Sequence, residues 1–67
     1  MKAKCYRIER TDGQLHYISI YQGICAKAPH EVKWMKGWGM EQIENFCRSA
    51  KWKLEYYSES SIYEPSN

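Results

Sequence analysis

The sequence predicts a small α+β domain in which one helix packs on one face of a three-stranded antiparallel sheet, in the order ββαβ. Three observations predict this fold: an Asp12-Gly13 turn between two strand-like segments, an apolar stripe at helical spacing over residues 40–51, and a further alternating segment behind it. A chain of 67 residues is long enough for one domain. We place this domain at residues 1–57 and a flexible C-terminal tail at 58–67.

Residues 4–10 and 14–21 are predicted to form a β-hairpin, and its register depends on the length of the loop. A two-residue loop at Asp12-Gly13 would divide the isoleucines between the two faces. A three-residue loop, with Gly13 in the left-handed conformation, gathers them on one face, and we favour it. The resulting pairs are Ile8 with His16, Tyr6 with Ile18, and Lys4 with Ile20. The buried face then carries Tyr6, Ile8, Ile18 and Ile20, and the uncovered face carries Cys5, Arg7, Leu15, Tyr17 and Tyr21.

The connection from residue 22 to residue 39 is predicted to be mainly loop, because three glycines and Pro29 interrupt any regular period. Residues 31–34 alternate between polar and apolar side chains, so the alternative is a fourth short strand near 31–35. Pro29 would suit the start of such an edge strand.

The helix is predicted at about residues 40–51, because its apolar positions recur at intervals of three and four. The residues of this stripe are Met40, Ile43, Phe46, Cys47 and Ala50. Residues 52–56 then alternate with a period of two, which predicts a strand. Its inward-facing side chains are expected to be Trp52, Leu54 and Tyr56.

One helix can cover only one face of the sheet, so the other face must meet water or a partner. The chain also has six tyrosines and three tryptophans, more than so small a core can hide, and both residue types are enriched at binding hot spots. We therefore predict a surface that binds a protein partner. Its residues are Tyr17, Tyr21, Trp34, Trp38, Lys33 and Lys36. The alternative for the two tryptophans is a second small cluster that closes the sheet.

Nucleic-acid binding is the alternative function, because residues 27–38 interleave lysines with tryptophans. In that case Lys27, Lys33 and Lys36 would hold phosphates while Trp34 stacks on a base. The formal net charge of +2 is smaller than a dedicated nucleic-acid-binding domain requires, although residues 1–40 are clearly basic. A homodimer formed through the uncovered face or an edge strand is compatible with either function.

No catalytic, cofactor or metal site is predicted. Cys5, Cys25 and Cys47 lie far apart in the sequence, unlike the paired cysteines of zinc sites, and no phosphate-binding, dinucleotide-binding or hydrolase motif is present. No apolar run is long enough for a signal peptide or a membrane span. We therefore expect a cytoplasmic protein that has reduced cysteines, no enzymatic activity and no membrane association.

These features together favour a small binding protein that inhibits or modulates its partner by occluding it. Small domains with no active site and a surplus of surface aromatic residues are common among phage-encoded proteins that take over host machinery or counter host defence. The analogy concerns only small size, the lack of an active site and the surface aromatic residues, and it implies only a functional class.

Overall fold

The computed structural model describes residues 2–61, which form a four-stranded antiparallel sheet with one α-helix. The strands follow the order β3-β2-β1-β4 across the sheet. This confirms the predicted α+β class and adds a fourth strand. The elements in chain order are β1 Lys2–Glu9, β2 Leu15–Tyr21, β3 Ile24–Lys27, a 3-10 helix His30–Met35, α1 Met40–Ala50 and β4 Lys53–Ser61.

The β1–β2 hairpin has the predicted three-residue loop and the predicted register. Gly13 has a φ of 91°, and the Arg10 amide donates a hydrogen bond to the Gln14 carbonyl at 2.9 Å. The Asp12 carboxylate accepts a hydrogen bond from the Gln14 amide. This bond from a side chain of the loop to its backbone stabilises the turn. The observed pairs include Lys4 with Ile20, Tyr6 with Ile18, and Ile8 with His16, as predicted.

The fourth strand lies at residues 24–27, so the alternative strand near 31–35 is wrong. Gln22 and Gly23 both have a positive φ, 52° and 79°, as a two-residue hairpin turn requires, and this turn sends the chain back along β2 as β3. Residues 30–35 form the 3-10 helix instead. This helix is kinked at Val32, whose φ of −129° and ψ of 31° are not helical, and both Val32 and Met35 are fully buried.

The outer edge of β3 is covered by the segment that leads into α1. The Cys25 amide donates a hydrogen bond to the Trp38 carbonyl, and the Cys25 carbonyl accepts one from the Gly37 amide, both at 2.8 Å. The Met40 amide, at the first position of α1, donates to the Gly23 carbonyl at 2.8 Å. These bonds anchor the start of α1 to the β2–β3 turn.

The core lies between the sheet and α1, and every element except β4 contributes a fully buried side chain to it. The stripes predicted for β1, β2 and α1 meet in this core. Its members are Ile8, Ile18, Ile20, Cys25, Val32, Met35, Ile43 and Cys47.

β4 is an edge strand that departs from the predictions in two ways. Trp52 and Leu54 pack against the core as predicted, but Tyr56 is 56% exposed, since it lies at the sheet edge with Tyr6 as its aromatic neighbour. The strand also continues through Ser61, so residues 58–61 belong to the sheet and not to the predicted tail. Residues 62–67 of that tail lie outside the described residues.

Replacing Ile43 with alanine tests the packing of α1 on the sheet. Ile43 is fully buried, and Ile43→Ala should lower the free energy of unfolding by about 2–5 kcal/mol through the lost burial and the resulting cavity. Urea denaturation followed by circular dichroism measures the change. Gln42→Ala, an exposed position on the same helix, is the matched control and should change little. Equal effects of the two substitutions would contradict this packing.

Candidate binding surface

The face of the sheet opposite α1 carries a group of exposed or half-buried apolar side chains, which we call the open face. Side chains alternate along β2, so those of Leu15, Tyr17 and Tyr21 point away from the buried Ile18 and Ile20. Tyr21 pairs with Ile24 of β3, and Tyr17 contacts Tyr57 of β4, which places both partners on the same face. The open face is therefore defined by Leu15, Tyr17, Tyr21, Ile24 and Tyr57.

Two tyrosines of the open face contact each other across β1. The ring centroids of Tyr17 and Tyr57 lie 5.1 Å apart with an interplanar angle of 68°, an edge-to-face arrangement that aromatic pairs favour. Tyr17 is 43% exposed and Tyr57 is 57% exposed. Because each ring restrains the other, the pair is an ordered apolar platform that remains accessible to a partner.

The charged groups of the open face largely neutralise each other. The Arg7 guanidinium donates a hydrogen bond to the Glu55 carboxylate on the neighbouring strand, and this partner, more than Tyr17, raises the pKa of Arg7. Glu9 and Lys53 are opposite each other in the same β1–β4 register. Lys27, opposite Ser19, lies near the end of β3. The face is consequently not the dense positive surface that phosphate binding favours.

The six residues predicted as a partner surface do not come together. Tyr17 and Tyr21 lie on the open face, whereas the two tryptophans lie on the helix side of the sheet and pack against Phe46 of α1. Lys33 and Lys36 are exposed in and directly after the 3-10 helix. The residues of the nucleic-acid alternative belong to two elements: Lys27 ends β3, and Lys33, Lys36 and Trp34 lie in or directly after the 3-10 helix, which is followed by Gly37 bonded to Cys25 of β3.

The tryptophans form a second aromatic cluster centred on Phe46. The Phe46 ring centroid lies 5.0 Å from that of Trp34, 5.2 Å from that of Trp52 and 5.9 Å from that of Trp38. The Arg10 guanidinium lies over Trp52 at 5.1 Å from its centroid, a cation–π contact. This arrangement corresponds to the alternative interpretation of Trp34 and Trp38, in which they help to close the core.

Sequence reasoning missed Ile24 and Tyr57 as members of the surface. Ile24 joins it only because the Gln22-Gly23 turn creates β3, a turn that the sequence interpretation overlooked. Tyr57 had a usable signal, since the residue after an inward-facing Tyr56 should face outward. Sequence reasoning did not carry this alternation past Tyr56, because it ended the strand near that residue.

The buried polar groups do not assemble into a reactive site. His16 is 6% exposed on the core face, and its Nε2 atom lacks a hydrogen-bond partner among the described residues. Burial raises the pKa of the Cys25 and Cys47 thiols, which are free and lie in the core. Within residues 2–61, no three His, Cys, Asp or Glu side chains are grouped closely enough to hold a metal ion.

No protein-family model matches the sequence, and no curated protein or solved structure is significantly similar to it. In the described part of the chain no helix is long and apolar enough to cross a membrane. The geometry of the surface is therefore the basis for the functional proposal.

Replacing Trp34 distinguishes a structural from a binding role of the tryptophan cluster. Trp34 contacts three other aromatic rings, so Trp34→Ala should lower the free energy of unfolding by about 1–3 kcal/mol. Urea denaturation followed by far-UV circular dichroism measures this change. Lys33→Ala, the exposed neighbour in the same 3-10 helix, is the control. If both variants are equally stable, the cluster does not support the fold.

Proposed function

We propose that the protein is a non-enzymatic binding module that holds a protein partner on its open face. The observation that carries this proposal is the concentration of exposed apolar groups on one surface. Among the described residues six large hydrophobic side chains are notably exposed, and four of them share this face. Those four are Leu15, Tyr17, Ile24 and Tyr57. Exposed apolar surface gathered on one face is typical of interaction sites on small soluble domains.

A protein partner suits the open face better than a nucleic acid does. Its tyrosines are surrounded by balanced charges, and the Arg7 guanidinium is engaged by Glu55 instead of being free for a phosphate. Trp34, the proposed stacking residue of the alternative, has its ring packed against Phe46, although 43% of the residue is exposed. Rigid tyrosines beside aliphatic side chains are the composition expected of a protein hot spot.

The binding mode that we propose is occlusion. Because the open face is formed by hydrogen-bonded strands of one sheet, the partner meets a largely preformed surface, and little ordering entropy opposes binding. A domain that covers a functional surface of its partner in this way acts as an inhibitor or modulator and needs no chemistry of its own.

Alanine substitutions on the open face test the proposal. The partner is first captured from cell lysate on the immobilised protein after nuclease treatment, then purified, and its dissociation constant is measured by titration calorimetry. Tyr17→Ala and Tyr57→Ala should each weaken binding by about 2 kcal/mol or more, roughly thirtyfold, if these rings are central. The control is Lys33→Ala/Lys36→Ala, which removes exposed charges on the other side and should leave the affinity unchanged.

Salt dependence separates the two partner classes. An apolar protein interface responds weakly to sodium chloride, whereas phosphate contacts make log affinity fall steeply with log salt. In a parallel capture from lysate without nuclease, recovery of nucleic acid alone, with affinity lost in Lys33→Ala/Lys36→Ala and retained in Tyr17→Ala, would overturn the open-face proposal in favour of the basic segment.

A further inference from the structure

The outer edge of β4 is an unpaired sheet edge. The sheet has two edges, and that of β3 is already covered by residues 37–40. Among the described residues nothing pairs with the outer side of β4, although it is the longest strand of the sheet. An exposed edge strand presents a row of free backbone donors and acceptors, which is a template for pairing with another strand.

The register identifies which backbone groups face this edge. Arg10 and Gln14 form a hydrogen-bonded pair at the end of the β1–β2 hairpin. In an antiparallel ladder every second residue pair is hydrogen-bonded. The even-numbered residues of β1 therefore bond to β2, and the odd-numbered residues bond to β4. Arg7 and Glu9 are paired with Glu55 and Lys53 of β4. Leu54 lies between these two paired residues of β4, and Tyr56 follows Glu55. The backbone amides and carbonyls of Leu54 and Tyr56 therefore point away from β1, toward the free edge.

A bulge restricts how far the edge can pair. Between Cys5 and Tyr6 of β1 the register shifts, because these residues pair with Ser58 and Tyr56 and leave Tyr57 as the extra residue of β4. Bulges interrupt regular pairing and twist an edge away. The regular part of the edge is consequently confined to residues 53–56.

We propose that this edge pairs antiparallel with the same edge of a second copy of the chain, centred on Leu54, so that the two sheets become one. Leu54 then lies opposite Leu54 of the second copy. Lys53 lies opposite Glu55 of the second copy, and each such opposite-charge pair occurs twice. Trp52, on the same side as Leu54, lies opposite Tyr56 of the second copy. The edge is thus complementary to itself in charge and in apolar character.

Two backbone hydrogen bonds join the copies in this register. The Leu54 amide of each copy donates to the Leu54 carbonyl of the other. The Trp52 amide is already used within its own chain, where it donates to the Cys47 carbonyl at 2.8 Å. Pairing centred on Glu55 instead would place two glutamates directly opposite each other, which is unfavourable.

The helix side of the interface is complementary as well. A groove of about 380 Å³ runs between α1 and β4, and its lining includes Glu44 and Arg48, one helical turn apart. A two-fold axis perpendicular to the sheet places α1 antiparallel to α1 of the second copy. Glu44 then lies opposite Arg48 of the second copy, and Arg48 lies opposite Glu44 of the second copy. These charges, together with Lys53 and Glu55, identify a second copy as the occupant.

Dimerisation by this edge leaves the open face free. A two-fold axis perpendicular to the sheet keeps both open faces on the same side, so the dimer presents two copies of the proposed partner surface. Binding to a partner that has two sites would then gain from effective concentration. The inference does not use the five residues that define the open face, so it can fail without the proposed function failing.

Charge reversal on α1 tests the dimer. Sedimentation equilibrium of the full chain, from micromolar to millimolar concentration, should show a reversible monomer–dimer equilibrium. Glu44→Lys and Arg48→Glu each turn two attractive contacts into repulsive ones and should weaken dimerisation by about tenfold. An equimolar mixture of the two variants restores opposite charges across the axis and should form a heterodimer at least as tight as the wild-type dimer.

Two substitutions at Leu54 test the backbone pairing. Leu54→Pro removes the outward amide without breaking a β1–β4 bond and should abolish the dimer, whereas Leu54→Ala retains that amide and should dimerise. Circular dichroism of both variants confirms that they are folded. The open-face variants Tyr17→Ala and Tyr57→Ala should dimerise like the wild type.

Three results would overturn the inference. They are a wild-type monomer at every concentration, a dimer that is indifferent to both charge reversals and to Leu54→Pro, and a dimer that is lost in Tyr17→Ala or Tyr57→Ala. The last result would show that the open face itself associates. Loss of partner binding in the open-face variants with the dimer intact would leave this inference standing and support the proposed function independently.

Discussion

Burial of one face of the sheet is the constraint on which the rest of the structure depends. Ile8 and Ile18 in the two central strands are fully buried, and they share one core with Ile43 of α1 and Met35 of the 3-10 helix. A chain of this length provides only one helical layer. Because that layer covers one side of the sheet, the exposed apolar residues on the other side are available to a partner.

The three-residue loop of the first hairpin determines which residues lie in the core, which lie on the open face and which backbone groups lie at the free edge of β4. Gly13 in its left-handed conformation sets the register in which Ile8 lies opposite His16, and a slip of one residue would turn β2 over. The same register places Tyr17 on the open face. It also determines that Leu54 directs its backbone outward at the β4 edge, so one turn orders the core, the open face and the free edge.

The parts of the fold that depend on local periodicity were predictable from sequence, and the parts that depend on tertiary contacts were not. The register of β1 with β2 and the apolar stripe of α1 follow from spacing alone. β3 was overlooked because a strand of four residues is too short for a clear alternation, and it is held by bonds from Trp38 and Gly37 that no local pattern shows.

For the candidate surface, too, only the residues that follow from local periodicity were predictable. Tyr17 and Tyr21 follow from the alternation of β2, whereas Ile24 requires β3 and Tyr57 requires the full length of β4. Trp34 could not be assigned from sequence, since only the packed position of Phe46 shows that its ring belongs to the helix side.

The free energy of unfolding of Tyr17→Ala/Tyr57→Ala, compared with that of Ile18→Ala, tests most directly whether the open face serves binding and not folding. Ile18 is 1% exposed and is the neighbour of Tyr17 in β2, so the two substitutions probe opposite faces of the same strand. We expect the double variant to lose only about 1 kcal/mol, the value of an exposed aromatic pair, and Ile18→Ala to lose about 2–5 kcal/mol. An equal loss in the double variant would show that the tyrosines are part of what holds the domain together, and it would contradict a face reserved for a partner.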